Sequence, residues 1–431
     1  MIRNAILALA LGTGALAAAP LLAQVPAEAP ASATPLEAGA RTLVTVINAT
    51  AVPEEAFTAG LLAQVPYEQI AAVTSNLTGQ FGPATAVEAI EPVNDTAGIV
   101  AIRLEQAVVR FRVSVDPGDA NRLNGLFVYD VTPIGDTPEK IAADLAALPG
   151  SVNAWFGPLG SAPVISRNPD TPLALGSTFK LYVLAALAED VKAGTRKWSD
   201  VVPLAAKSFP SGQLQNWPTG VPITLHTLAS LMISISDNTA TDRLIAVLGK
   251  DRIVKWMADS GHSDPGLNTP LLTTRELFGF KAYSDDVRAL WRTGGVENRE
   301  AAAGIVSSSS QELTLDDVNA AFAKGPQALD IEWFASPTDL AKMLAHMRKT
   351  ADPEVFAIMA INPSATPSIK ANWRYIGFKG GSEPGVLNLT WLLTDKDGRD
   401  WVLTLGWNNP SAALEEGKLE AIAQRILLLP R

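Results

Sequence analysis

Residues 181–188 read Leu-Tyr-Val-Leu-Ala-Ala-Leu-Ala, the most apolar helical run outside the N-terminus. A helix that is hydrophobic on every side has to be packed on every side, so this segment fixes where a core must form. At its entrance stands Ser177-Thr178-Phe179-Lys180, the only S-x-x-K in the sequence. Helical residues three apart share a face, which sets a hydroxyl beside an amine. A serine whose neighbour accepts its proton is an activated nucleophile. A helix of Leu, Val and Ala disfavours a charged lysine, so Lys180 is either a neutral base or a charged group that orients Ser177.

The 431 residues suffice for two or three domains, and 47% of them are hydrophobic, enough to build cores. The formal net charge of −10 argues against a nucleic-acid partner, whose phosphates are themselves anionic. Without any cysteine, disulfides, thiol catalysis and thiolate metal sites are excluded. The three histidines, His226, His262 and His346, are scattered and form no metal-binding motif. No metal and no cofactor is expected.

Residues 1–23 have the form of a signal peptide. Arg3 supplies a positive charge, residues 5–22 an apolar stretch, and Ala23 a small residue before the cleavage point. Its glycines, Pro20 and alanines make it a poor permanent anchor. No stable membrane span is expected after its removal, and the protein is expected to be periplasmic or secreted. Residues 24–40, rich in Pro, Ala and Glu, read as a flexible linker.

An α+β domain is expected over residues 41–132. Helical stretches at 54–62 and 67–77 precede four strand-like runs at 86–92, 98–104, 108–115 and 122–131. There Arg110, Arg112 and Asp130 alternate with apolar residues, as on a half-solvated sheet face. Nothing catalytic stands out in this domain. The second domain, residues 136–431, opens on a helix with Thr137 as cap and Pro138 in its first turn. Strands follow at 152–156 and 162–167, then the Ser177 helix, closing at Gly194. Residues 223–347 are mostly helical. Three successive strands are expected at 373–380, 386–394 and 401–407, and an amphipathic helix at 412–429. This order describes an α/β plus all-α body in two lobes with a cleft between them.

Two further motifs follow Ser177. Ser236-Asp237-Asn238 interrupts an apolar run between two helical segments, which places it on a short turn or helix tip; alone, it also makes an ordinary helix cap. Lys379-Gly380-Gly381-Ser382 ends a strand-like run, and two glycines let a backbone approach a ligand closely. The other Lys-x-Gly sites fall at a helix end (Lys192-Ala193-Gly194) and a hairpin turn (Lys396-Asp397-Gly398). With these three motifs in this order, residues 136–431 resemble the class A β-lactamase and penicillin-binding serine hydrolase superfamily. The class A branch is the nearest, in a two-domain version with an extra N-terminal domain. The resemblance implies an antiparallel sheet flanked by helices, with a helical lobe. Ser177 and Ser236 are 59 residues apart, and Ser236 and Lys379 143 apart. The second interval is longer than usual for class A, and the surplus is expected at 281–330, with 307–310 as surface loop.

The resemblance also assigns roles. Ser177 attacks an amide or ester carbonyl and becomes acylated, and the N–H groups of Ser177 and Ser382 form an oxyanion hole. Ser236 relays a proton to the leaving group between Lys180 and Lys379. Asn238 donates to the substrate or joins the lysine network, and Lys379 attracts an anionic substrate group. Lys379-Gly380-Gly381 lacks the family's hydroxyl residue at its middle position, which weakens carboxylate recognition or passes it to Ser382. The glutamate that activates the deacylating water is expected near Leu272, yet no E-x-x-L-N motif occurs there. Glu276 is the nearest candidate; the alternative is a helix carboxylate paired with a basic residue. The 208–220 loop is a candidate cleft wall, with Trp217 either a contact or simple packing. Three readings stand: a hydrolase opening β-lactam amides, an acyl hydrolase for other esters or cell-wall-related amides, and a slow-deacylating or non-catalytic homologue. The sequence gives no oligomeric state.

Overall fold

Thr34 caps the first helix, Pro35–Ile47. Its hydroxyl accepts from the Glu37 N–H at 3.2 Å, and Glu37 accepts from the Thr34 N–H at 3.0 Å. The computed structural model describes residues 33–282, 285–309 and 312–430, so the signal peptide expected at 1–23 lies outside the described residues. The linker expected over 24–40 has to be shortened. Residues 35–40 are helical because Leu36, Ala40 and Leu43 are buried in the first domain's core, which the Pro/Ala composition concealed.

Four strands, Ala84–Asn94, Ala97–Leu104, Ala107–Asp116 and Arg122–Pro133, form an antiparallel meander in sequence order. Val100, Ile102, Val109 and Phe111 on one face pack against Pro35–Ile47 and Tyr67–Phe81. The helix expected over 54–62 is two, Pro53–Ala56 and Ala59–Gln64, because Phe57 turns into the core and Thr58 caps the second piece. Asp130 is not half-solvated. It is buried against Ser368 of the Pro367–Asn372 helix, and Thr132 meets the same serine at 3.3 Å. With the 2.8 Å bond from Lys140 Nζ to Gln106 Oε1, these contacts join the two domains.

The second domain is built on a five-stranded antiparallel sheet. Its order is Tyr375–Glu383, Val386–Thr394, Asp400–Asn408, Ser151–Pro158, Ile165–Arg167. Pro138–Ala147 and Glu416–Leu427 cover one face. The other receives the helical lobe, with Lys180–Lys192 at its centre. Coverage on both sides explains why Val386–Thr394 is a nearly continuous apolar run rather than an alternating one. The nine residues from Lys180 to Ala188 are all buried.

The surplus length at 281–330 is helical. Asp285–Arg292, Val296–Ser309 and Leu315–Phe322 occupy it, and residues 307–309 end a helix instead of forming a loop. Ser309 returns its hydroxyl to Ile305 O at 2.9 Å, a local bond that suits a serine-rich helix end; Ser310 lies outside the described residues. Among the described residues no helix is long and apolar enough to cross a membrane.

Leu184 sits at the centre of the buried helix with no exposed surface, whereas Val93 is 82% exposed. Leu184→Ala is expected to lower unfolding free energy by about 2–5 kcal/mol, and Val93→Ala to change it by about 0.5 kcal/mol or less, as measured by urea denaturation.

Candidate active site

Ser177 lies in a 3-10 turn, Gly176–Phe179, that leads straight into Lys180–Lys192. Two contacts lock the turn. The Phe179 ring stacks on Trp333 with centroids 3.6 Å apart and planes 6° from parallel, and the Thr178 hydroxyl donates to Asn388 O at 3.4 Å. Ser177 is thereby held half-exposed above an almost fully dry helix.

Lys180 is completely buried. Its Nζ donates to Ser236 O at 2.8 Å, to Ser236 Oγ at 3.1 Å and to Asn238 Oδ1 at 2.6 Å. None of these bonds reaches Ser177, so the hydroxyl–amine pairing expected from S-x-x-K gives way to a link across to S-D-N. Ser236 is reached from the other side as well, because Lys379 Nζ donates to the same Oγ at 3.1 Å and also contacts Gly380 O. One hydroxyl therefore bridges two buried lysines.

The S-D-N segment joins helices Leu225–Ser234 and Asn238–Leu248. Ser236 has φ +57°, a left-handed conformation unusual for a residue with a Cβ and costing about 1–3 kcal/mol. Its neighbours hold it there. Asp237 caps the second helix through Ala240 N at 2.8 Å, and its other oxygen accepts from Gln213 N and Leu214 N at 2.7 and 2.9 Å. Ser211 donates its hydroxyl to Ser236 O at 2.7 Å. Asn238 donates an amide proton to Phe209 O at 3.0 Å and accepts from Lys180 through its oxygen, so it serves the lysine network. The 208–220 loop thus clamps S-D-N and supplies Ser211 to the cleft; Trp217 remains outside the cleft lining and 39% exposed.

Gly381 has a steric reason to be glycine. A Cβ there would lie 2.2 Å from Leu175 O and 2.4 Å from Ser177 N. The strand can approach the Ser177 turn only without a side chain, and this approach brings Ser382 N close to Gly176. At Gly380 a Cβ would meet the Phe378 ring edge at 2.9 Å, so Phe378 takes the room that a hydroxyl residue would use. Past Ser382, Glu383 anchors the strand through buried Lys281, whose Nζ lies 2.7 Å from Glu383 Oε1 and 3.0 Å from Glu332 Oε1.

Glu276 is separate from this group. It begins the Thr274–Ala282 helix, with both carboxylate oxygens on Lys250 Nζ at 2.9 and 2.7 Å and one on Thr273 N at 2.8 Å. It does not line the cleft that contains Ser177. The expected deacylation base is a helix-end carboxylate neutralised by a lysine. Asp242 is also spent, accepting from Thr274 N, Thr274 Oγ1 and Arg275 N.

Burial holds the Lys180 pKa well below the ordinary lysine range; Lys379 pushes the same way, and Asp242 and Asp237 oppose it. Burial brings Lys379 down to about 7. Two buried amines with lowered pKa values, joined through one hydroxyl, have the parts of a proton relay.

The cleft around Ser177 has a volume of about 870 Å³ and extends beyond the second domain. Val73, Leu77 and Val128 of the first domain line it, as do Glu416 and Glu420 of the last helix. None of these was legible in the sequence. They are far from Ser177 along the chain and lie in no motif, and Val73, Leu77 and Val128 reach the cleft only because the two domains dock.

This fold and site have the form of a serine hydrolase of the beta-lactamase type. The chain belongs to the Beta-lactamase enzyme family, whose sequence model matches residues 137–427. Among solved structures it is similar to the beta-lactamase from Sphaerobacter thermophilus, at 23% identity and TM-score 0.48 over 68% of this chain and 94% of that one. It is likewise similar to PBP-A, at 18% identity and TM-score 0.47 over 68% and 94% of the two chains. A beta lactamase from Xanthomonas campestris is similar at 15% identity and TM-score 0.47, over 68% and 95%. No curated protein matches the chain.

In the unfolded chain Lys379 keeps its proton up to the ordinary 10.5, and in the fold it sheds it at about 7. Between those values the unfolded state binds more protons, so folding stability rises with pH; below about 7 the penalty of burying the charge is felt in full. Lys379→Met removes this contribution. Denaturation midpoints followed from about pH 7 to 10 are expected to climb less steeply in the variant than in the wild type.

Proposed function

We propose that the protein is an exported serine hydrolase that takes an acyl group from a strained amide or an ester onto Ser177. The observation that carries this reading is the Lys180–Ser236–Lys379 bridge beside Ser177. Ser177 Oγ forms a bond to the carbonyl carbon as its proton passes to the deprotonated Lys180 amine, which turns from its Ser236 and Asn238 acceptors to receive it. The carbonyl oxygen takes the developing charge between the N–H groups of Ser177 and Ser382. When the bond to the leaving group breaks, Ser236 delivers a proton to that group and is resupplied by the lysines. β-Lactam amides are suitable donors because ring strain is released when the amide opens.

The second step is slower. Among the described residues only Glu416 and Glu420 bring carboxylates to the cleft. Glu276 is committed to Lys250, and Asp242 to the start of the next helix. Water that attacks the acyl-serine must rely on the lysine–serine relay, so an adduct accumulates.

Intact-mass measurement after mixing with a penicillin or an aryl ester tests this. The expected result is one added acyl group per chain, absent in Ser177→Ala, with slow return to the unmodified mass. Glu276→Gln is expected to leave that return unchanged. A folded wild-type protein that gains no mass from either donor overturns the reading, and a marked slowing in Glu276→Gln restores Glu276 as the base.

A further inference from the structure

Among the described residues Lys379 is the only basic one lining the cleft, and it is almost wholly buried, with its amine engaged by Ser236 and Gly380. Glu416 and Glu420, one turn apart on the Glu416–Leu427 helix, line the same cleft. Glu416 is half-buried, and the Ser382 hydroxyl beside it partly offsets the rise in its pKa. That hydroxyl is the group to which the missing residue's carboxylate recognition would pass, and it has a carboxylate of the protein beside it. Gln424, a further turn along the same wall, has a side-chain oxygen without a hydrogen-bond partner. Burial, and then Glu420, raise the Glu416 pKa, as expected where negative charge is crowded. Between these acceptors and the first domain, Val73, Leu77 and Val128 present an apolar surface.

Resting on the acyl-transfer reading above, we propose that Glu416 and Glu420 determine specificity: the cleft selects acyl donors that carry a positive charge on an apolar body and disfavours those that carry a carboxylate. The wall offers oxygen acceptors and negative charge, which suit an ammonium or guanidinium group. The apolar surface of the first domain receives the body of such a substrate. A carboxylate entering here meets two like charges. Opposite charges at this range in a partly desolvated cleft change affinity by about tenfold, and salt reduces the effect at the exposed Glu420.

Three aryl esters identical but for a trimethylammonium, a tert-butyl or a carboxylate group at one ring position test this. Ser177→Ala protein binds them without consuming them, so calorimetry reads the preference independently of the chemistry. The expected order of affinity is cation, neutral, anion, with about a tenfold gap between the extremes. The gap is expected to collapse in a Ser177→Ala background carrying Glu416→Gln and Glu420→Gln, and to narrow as salt is raised. Wild-type acylation rates are expected to follow the same order. Equal affinities for cation and anion, or a gap that survives the double substitution, overturn the proposal. If the charge order appears in binding but no ester modifies the wild type, the selectivity stands and the acyl-transfer reading fails.

Discussion

Lys180 carries an amine into the protein interior and surrounds it with three oxygens, two from Ser236 and one from Asn238. A buried amine without acceptors is prohibitively expensive, so these partners must be in place for the fold to exist with a lysine there. That requirement explains the left-handed Ser236, whose conformation lets its carbonyl and hydroxyl both face Nζ. It explains Asp237, which uses both oxygens to fix the segment from either side. It also accounts for the loop backbone at Phe209 and Ser211 closing over Asn238 and Ser236. Stability and chemistry are tied together here, because the burial that makes these partners necessary also, with Lys379 nearby, makes the lysine's proton easier to remove.

Much of this was legible in advance, for reasons that differ from element to element. The 181–188 run had only one physical solution, and it is the buried helix at the centre of the larger core. Val386–Thr394 was found with its exact bounds because two-sided burial leaves an unmistakable apolar run. Motif order brought Ser177, Ser236 and Lys379 into one site, since each motif encodes a local backbone need: a helix entrance, a strained turn, a strand without a side chain. What failed was whatever depended on partners distant in sequence. Asp130 looked half-solvated because its cover, the Pro367–Asn372 helix, lies far along the chain. Glu276 was chosen for its position after S-D-N, and no local signal showed that Lys250 would claim it. The direction of the Lys180 amine is likewise a tertiary fact, set by acceptors on another helix.

The strand Tyr375–Glu383 does the most varied service. It is an edge strand of the five-stranded sheet. On one side its lysine meets Ser236, on the other its Phe378 ring lies on Trp391 with centroids 4.5 Å apart, and its end is tied through Glu383 to buried Lys281. Fixed at three points, it holds Gly381 against the Ser177 turn at a separation that only glycine permits. Preorganisation of this kind is what an oxyanion site needs, since donors that must move into place lose much of their effect.

The hydrogen bonds that join the domains include those of Asp130 and Thr132 with Ser368 and of Lys140 with Gln106. Val73, Leu77 and Val128 belong to the cleft wall. The complete cleft is therefore a property of the docked arrangement, and any ligand that uses both walls binds with its intrinsic affinity multiplied by the fraction of molecules that are docked. The first domain then acts as a dial on the reactive serine. Ser368 and Asp130, which touch none of the lysine–serine relay, bear on the cleft through that docking alone.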